Sequence, residues 1–399
     1  MDSIDVFVRL VKRGCSKINK SIRLLFQHIF NGGTHTDMEA YFTNTYLFCL
    51  YKDPDDPTQL RPIGIPTALR RIITIHIARV YRQRFARHLL PHNYAVGIDG
   101  GMDFVVRASQ LAIEKYITEP MAQDLPDAPT RCYISLDLKN MFNEISRNKI
   151  FEIVEAKFPE LLPFIALLYK NPGTVFYRMT DGSWQTQSME EGVNQGCPLS
   201  SILAALVLQE VLVPLTEKLN ARAMARALQH SGDDGHGGET HPMAYVDDCG
   251  ACVPVQDVAF FLEEFTQLAT PLGCHLNTKK TVIMTSTSGD SGLPAIERAY
   301  GAATAAGIRQ AIADFTAGEQ TRGLRLLGQP LGSRTFAASF LASKLKDNKR
   351  DATALLEAVP NHQTALRLFA QCTLHKLPHL LASEVMYHFT ENQYERWDE

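Results

Sequence analysis

The chain has 399 residues, 45% of them hydrophobic, enough to pack one large or two to three ordinary domains. The opening MDSIDVFVRLVKRG sets acids before any apolar run, so no secretory leader is expected. The most apolar window, Leu199 to Leu215, is broken by Gln209, Glu210 and Pro214, which reads as a buried helix and not a membrane span. Eight cysteines without regular spacing fit reduced thiols and an intracellular setting. The net charge of −3 excludes a uniformly basic protein but conceals an uneven distribution.

In chain order, residues 1–50 read as helical, with a basic cluster at Lys12, Arg13, Lys17, Lys20 and Arg23 that suits a solvated helix face. A turn signal, KDPDDPTQ, follows at Lys52 to Gln59. From Thr58 to Ile98 there are seven arginines (61, 70, 71, 79, 82, 84 and 87) and no Asp, Glu or Lys. Positive charges in such a run repel one another unless a polyanion lies against them, so a nucleic-acid backbone is the expected partner.

RCYISLDL, Arg131 to Leu138, reads as a strand with Asp137 at its end, and MFNEISRNKIFEIVEAKF continues as turn and helix. Two strand-like pieces flank the turn TDGS. NQGCPLSS then opens a long apolar helix, with Pro198 expected in its first turn. Gln229 to His241 is Gly-rich and polar. His230, Asp233, Asp234, His236 and His241 fall in it, but an exposed loop accounts for them better than a metal cluster.

MAYVDDCGACVPV, Met243 to Val255, reads as a hairpin. On a strand, Cys249 and Cys252 point to opposite faces, so they cannot share one metal. Val258, Phe261, Leu262, Phe265, Ala269 and Leu272 form a helical stripe that stops at Gly273. HLNTKKTVIM returns as turn and strand, LRLLGQPLGS as a further β element, and two or three helices close the chain. Their basic cluster at Lys344, Lys346, Lys349 and Arg350 again suits a solvated face. Strands and helices alternate without a βαβ rhythm, which predicts an α+β fold.

The adjacent Asp247 and Asp248 demand a partner, because burying like charges costs several kcal/mol unless a cation compensates. An exposed acidic turn is the plainer explanation, but strand-forming flanks and the separate Asp137 argue against it. Two carboxylates at a hairpin turn and a third at another strand end suit Mg²⁺, which takes few protein oxygens and completes its shell with water and phosphate. Two such ions, about 4 Å apart, serve in-line phosphoryl transfer.

YVDD on a hairpin, SLDLKNMF upstream, EGVNQGCPLS between them, then LNTKKT and LRLLGQPLGS together resemble the ordered motifs of reverse transcriptases. The likeness is nearest to non-LTR retrotransposons, and RPIGIP is similar to group II intron enzymes. It covers roughly Arg61 to Ser333.

The resemblance implies a right-hand polymerase of fingers, an antiparallel-sheet palm and a helical thumb. Residues 1–57 would be a helical extension, 58–130 fingers, 131–322 palm with loop 229–241 exposed, 323–335 a primer-grip-like hairpin and 336–399 thumb-like helices. Asp137, Asp247 and Asp248 would hold two Mg²⁺ ions, with Mn²⁺ able to substitute. Arg61 and Arg71 would bind the triphosphate, Gln195 and Gly196 the nascent pair. Lys280, or Lys279, would assist pyrophosphate departure. Arg79, Arg82, Arg84 and Arg87 would line template or duplex, and Gly328 the primer.

Implied partners are an RNA template, a DNA or RNA primer and dNTPs, with no membrane. Phe142, five residues after Asp137, would bar a ribose 2′-OH. An RNA-dependent RNA polymerase would want a polar residue there, and a non-catalytic RNA-binding scaffold would have lost an aspartate. The motif departs from the family in having Ser201 where Pro commonly follows PLS, and no endonuclease, RNase H or zinc-knuckle segment is recognisable.

Overall fold

The structure, a computed structural model, describes residues 16–53, 56–118, 131–229, 240–285, 297–298, 301–315 and 323–373. Most of the Gly-rich loop expected at 229–241 lies outside the described residues, as do Lys12, Arg13 and the chain after residue 373. The described strands are β1 (Thr45–Asp53), β2 (Asp56–Pro66), β3 (Arg131–Leu136), β4 (Leu138–Lys139), β5 (Gly173–Arg178), β6 (Trp184–Met189), β7 (Met243–Tyr245), β8 (Asp248–Pro254), β9 (His275–Leu276), β10 (Val282–Thr285), β11 (Gly323–Leu326) and β12 (Gln329–Gly332). Helices and strands together make the α+β class expected.

The chain divides into two compact units. The first comprises Met1–Ile98, Leu138–Leu215 and Phe265–Leu276. Its main sheet has the order β2-β1-β5-β6. Residues 45–50, expected to be helical, are strand. The aromatic alternation of TYLFCLYK suits a pleated surface, and every residue from Thr45 to Tyr51 has a partner between Leu60 and Pro66. Pro62 and Pro66 are tolerated in β2 because it is an edge strand, with one side of its backbone free of ladder bonds.

Arg70, one of the seven arginines expected to face a polyanion, is instead fully buried in this unit. It donates to the Phe42 carbonyl at 2.7 Å and the Tyr169 hydroxyl at 3.0 Å. Arg147, also buried, donates from Nε to the Gly192 carbonyl at 2.9 Å. The Arg147 and Arg70 guanidinium carbons each lie 5.4 Å from the Tyr169 ring centroid.

The second unit comprises Asp99–Asp137, Thr216–Glu264 and Asn277–Glu399. Its sheet runs β10-β3-β8-β7, antiparallel throughout. β3 and β8 are almost wholly buried, so their apolar runs form the sheet's core. The Tyr133 hydroxyl of β3 donates to Ser109 Oγ at 2.7 Å from helix Gly101–Ile113, and burial pushes its pKa up.

The apolar helix expected after NQGCPLSS is Ser200–Gln229. It starts two residues beyond Pro198, which sits in the preceding turn instead of the first helical turn. No helix among the described residues is long and apolar enough to cross a membrane. In the predicted stripe Val258, Phe261, Leu262, Phe265 and Ala269 are buried, Leu272 is half-buried, and Gly273 takes φ 76° as the stop. LRLLGQPLGS is the hairpin β11–β12, followed by helices Arg334–Ala358 and His362–Leu368.

Candidate active site

The three acids all belong to the second unit, and strand register relates them. Leu136 pairs with Cys249, so one step onward Asp137 comes alongside Asp248, which opens β8 opposite Tyr245. Val246 and Asp247 are the two turn residues of the β7–β8 hairpin. Val246 has φ 60° and Asp247 does not have positive φ, the pattern of a II′ turn, whose first position normally takes glycine. A β-branched residue there is strained, as residues at functional turns often are.

Like charges on neighbouring strands repel, and the Asp248 charge joins burial in pushing the Cys249 thiol up to about 12. Asp137 and Asp247 are half-buried and Asp248 is exposed. Among the described residues no three His, Cys, Asp or Glu side chains, these three acids included, are gathered closely enough to hold a metal ion by themselves. An open, all-carboxylate set fits a hard cation that keeps water and substrate oxygens, and does not fit a structural zinc.

The turn after β9 embraces Asp137. The Asn277 backbone N–H donates to the Asp137 carbonyl at 2.8 Å, and the Asn277 side-chain amide donates to Asp137 Oδ2 at 2.7 Å. The Asp137 N–H donates to Thr281 Oγ1 at 3.3 Å. The motif LNTKKT draws attention in the sequence for its lysines alone. The signal missed is an asparagine, a turn-former with a free donor, three residues before Lys280. Lys280 and Lys279 are exposed on this turn and form no ion pair among the described residues. Gly328 has φ 83° and follows Leu327 at φ 51°, a I′ turn that joins β11 to β12.

The remaining candidates lie in the first unit. The Gly64 N–H of β2 donates to the Gln195 carbonyl at 2.6 Å. A Cβ on Gly196, at φ 108°, would stand 2.6 Å from the Gly64 carbonyl oxygen, so this approach needs glycine. Asn194, buried next to them and not singled out from sequence, has its carboxamide 2.8 Å from the Thr45 hydroxyl. With its oxygen turned inward it also accepts from Arg70 at 3.2 Å, so the buried arginine holds the Gln195 segment.

A cleft of about 310 Å³ is lined here by Leu47, Pro62, Gly64, Asn194 and Gln195, with Glu190 and Glu191 at its edge. The two acids suit it to a base or sugar better than to a phosphate. Phe142 is half-buried in the short helix Met141–Glu144. Arg61 and Arg71 are exposed and free of ion pairs among the described residues. Arg61 is opposite Leu50 and so faces away from Pro62 and Gly64, on the side carrying Tyr46 and Phe48.

That side is an exposed aromatic surface. Tyr46, Phe48 and Trp184 are 44, 50 and 58% exposed. The Tyr46 ring lies 5.6 Å from Phe176 and 5.9 Å, edge-on, from Trp184. Arg178 pairs with Trp184 across the hairpin.

The arginine run divides by partner. Arg79 and Arg87 are exposed and form no ion pair among the described residues, and Arg82 is half-buried. Arg84 is engaged within the fold, in an ion pair with Glu160, a bond of 3.2 Å to the Lys157 carbonyl and contacts with the rings of Tyr81 and Phe158 at 5.3 and 5.4 Å.

Residues 51–331 match the family described as Reverse transcriptase (RNA-dependent DNA polymerase). The chain belongs to this family. Its fold is accordingly that of the right-hand polymerases. Among solved structures, apo telomerase from Candida tropicalis truncated from its C-terminal domain is 14% identical, with TM-score 0.42, over 74% of this chain and 54% of that one. Telomerase from Candida albicans in complex with a TWJ fragment of telomeric RNA is 10% identical, with TM-score 0.43, over 90% and 58%. The chain thus spans a little over half the length of these structures. No curated protein matches it.

Proposed function

We propose that the chain copies an RNA template into DNA as the polymerase core of a non-LTR-like retroelement. The observation that carries this reading is the register that sets Asp137 alongside Asp248, with Asp247 at the turn of the same sheet. Asp137 and Asp247, with Asp248 beside them, would hold two Mg²⁺ ions, whose chemistry when bound is to activate the primer 3′-hydroxyl and stabilise the leaving pyrophosphate.

The protein's own side chains supply the rest. Arg61 and Arg71 offer guanidinium forks to the triphosphate of a dNTP. Lys280, exposed on the turn that embraces Asp137, is the cation or proton donor for the leaving group. Gln195 and Gly196 approach the new base pair where glycine alone fits. Phe142 excludes the ribose 2′-OH. Arg79, Arg82 and Arg87 contact template or duplex backbone, and Gly328 lies in the hairpin that would hold the primer. The exposed rings of Tyr46, Phe48 and Trp184 give unpaired template bases surfaces on which to stack.

Primer extension on RNA and DNA templates, with dNTPs or rNTPs, tests the reading. Asp247→Asn and Asp137→Asn should each lower Mg²⁺-dependent extension at least about a thousandfold, roughly 4 kcal/mol in the barrier, with template affinity retained. Extension near the wild-type rate in either variant would sink the assignment.

A further inference from the structure

Asn277 is the residue whose two bonds to Asp137 the proposed chemistry does not yet use. A half-buried carboxylate at a strand end can rotate about two side-chain torsions, and an open site with few protein ligands has little else to fix it. We infer that Asn277 is a positioning residue that locks the Asp137 carboxylate in its cation-binding orientation. Its amide holds Oδ2 at 2.7 Å, which occupies one oxygen and fixes the rotamer that presents the other.

The backbone is fixed at the same time. The Asn277 N–H and Thr281 Oγ1 grip the carbonyl and the N–H of Asp137, and the Lys280 and Thr281 N–H groups both donate to the Asn277 carbonyl, at 3.0 and 2.9 Å. Thr281 is buried, so its bond to the Asp137 N–H is shielded from solvent. One turn therefore carries both the group that orients Asp137 and Lys280. The clasp ties the cation-binding oxygen to the proposed leaving-group cation through a single short turn, and outer-shell bonds of this kind typically set metal affinity and activity by about 10–100-fold.

The inference rests on the reading of Asp137 as a metal ligand, and the experiment separates the two. Mn²⁺ binding to the free protein, without nucleic acid, is measured by electron paramagnetic resonance alongside thermal melting. Asn277→Ala should weaken Mn²⁺ binding by about tenfold or more with the melting temperature held, and Asn277→Ser, which keeps a turn-forming residue but shortens the donor, should do the same. Thr278→Ala, on the same turn without a bond to Asp137, should bind as wild type.

If Asp137→Asn itself binds Mn²⁺ like wild type, the metal-ligand reading fails. If Asp137→Asn loses binding while both Asn277 variants keep it, the clasp alone is overturned. If Asn277→Ala melts early, Asn277→Ser decides. Loss of binding in Thr278→Ala equal to that in Asn277→Ala would reduce Asn277 to a general turn former and also overturn the inference.

Discussion

The arginine run offers a perturbation whose readout differs between neighbouring residues. Arg84 sits in an ion pair with Glu160 whose side chains are 47 and 37% exposed, a geometry that contributes about 0.2–1 kcal/mol. Its contacts with Tyr81 and Phe158 add about 0.5–1 kcal/mol each at such exposed rings. Arg84→Ala should therefore destabilise the fold by about 1–2 kcal/mol, allowing for overlap between these terms. Arg79→Ala and Arg87→Ala remove exposed side chains that form no ion pair among the described residues, so melting should hardly move.

Template binding should respond in the opposite order. Arg79→Ala and Arg87→Ala should each weaken RNA binding and flatten the slope of log affinity against log salt by about 0.7–0.9, the value for one phosphate left without its protein cation. Arg84→Ala should change the slope little. Fluorescence anisotropy of a labelled RNA across a salt series, paired with calorimetry, reads both quantities. A slope unchanged in Arg79→Ala and Arg87→Ala would return them to solvated faces. A melting temperature unchanged in Arg84→Ala would refute its structural role.

Phe142→Ala should admit rNTPs, with a large gain in the rNTP-to-dNTP efficiency ratio. Because Phe142 is half-buried, a variant that stays folded by circular dichroism yet still rejects rNTPs would refute the gate. Val246→Gly relieves about 1–2 kcal/mol of left-handed strain and returns about half of it as chain entropy, so melting should rise slightly while extension falls through a looser Asp247; a rise in both would remove any role for the strain. Trp184→Ala should weaken binding of single-stranded RNA about tenfold and leave duplex binding unchanged, and equal loss for both would exclude stacking.

What is legible in the sequence follows from period and punctuation. The stripe from Val258 to Ala269 with its glycine stop, the hairpin around TDGS and the β11–β12 hairpin all come from local patterns that tertiary contacts leave intact. The carboxylates are legible because acids at strand ends stand out against apolar flanks.

Three features are not. Residues 45–50 read as helix because their aromatic alternation is short, and only pairing with β2 decides it. Arg70 looks like one more free cation, since nothing local says that Phe42, Tyr169 and Asn194 will surround it. Asn277 escapes notice because its partner lies 140 residues away in sequence, a distance at which only register brings side chains together.

The hairpin ends of the second unit break local rules together. Asp137 and Asp248 bring like charges onto adjacent strands, Val246 takes a conformation suited to glycine, and Leu327 does the same beside Gly328. Each of these choices works against stability. Natural sequences tend to be locally consistent, so the departures just after β3, at the β7–β8 turn and at the β11–β12 turn are the places in this unit to test for a role other than folding. The buried strands β3 and β8 explain how the unit bears the cost. A rigid apolar sheet fixes Cys249 against Leu136, and that one pairing holds two carboxylates together that would separate in a looser frame.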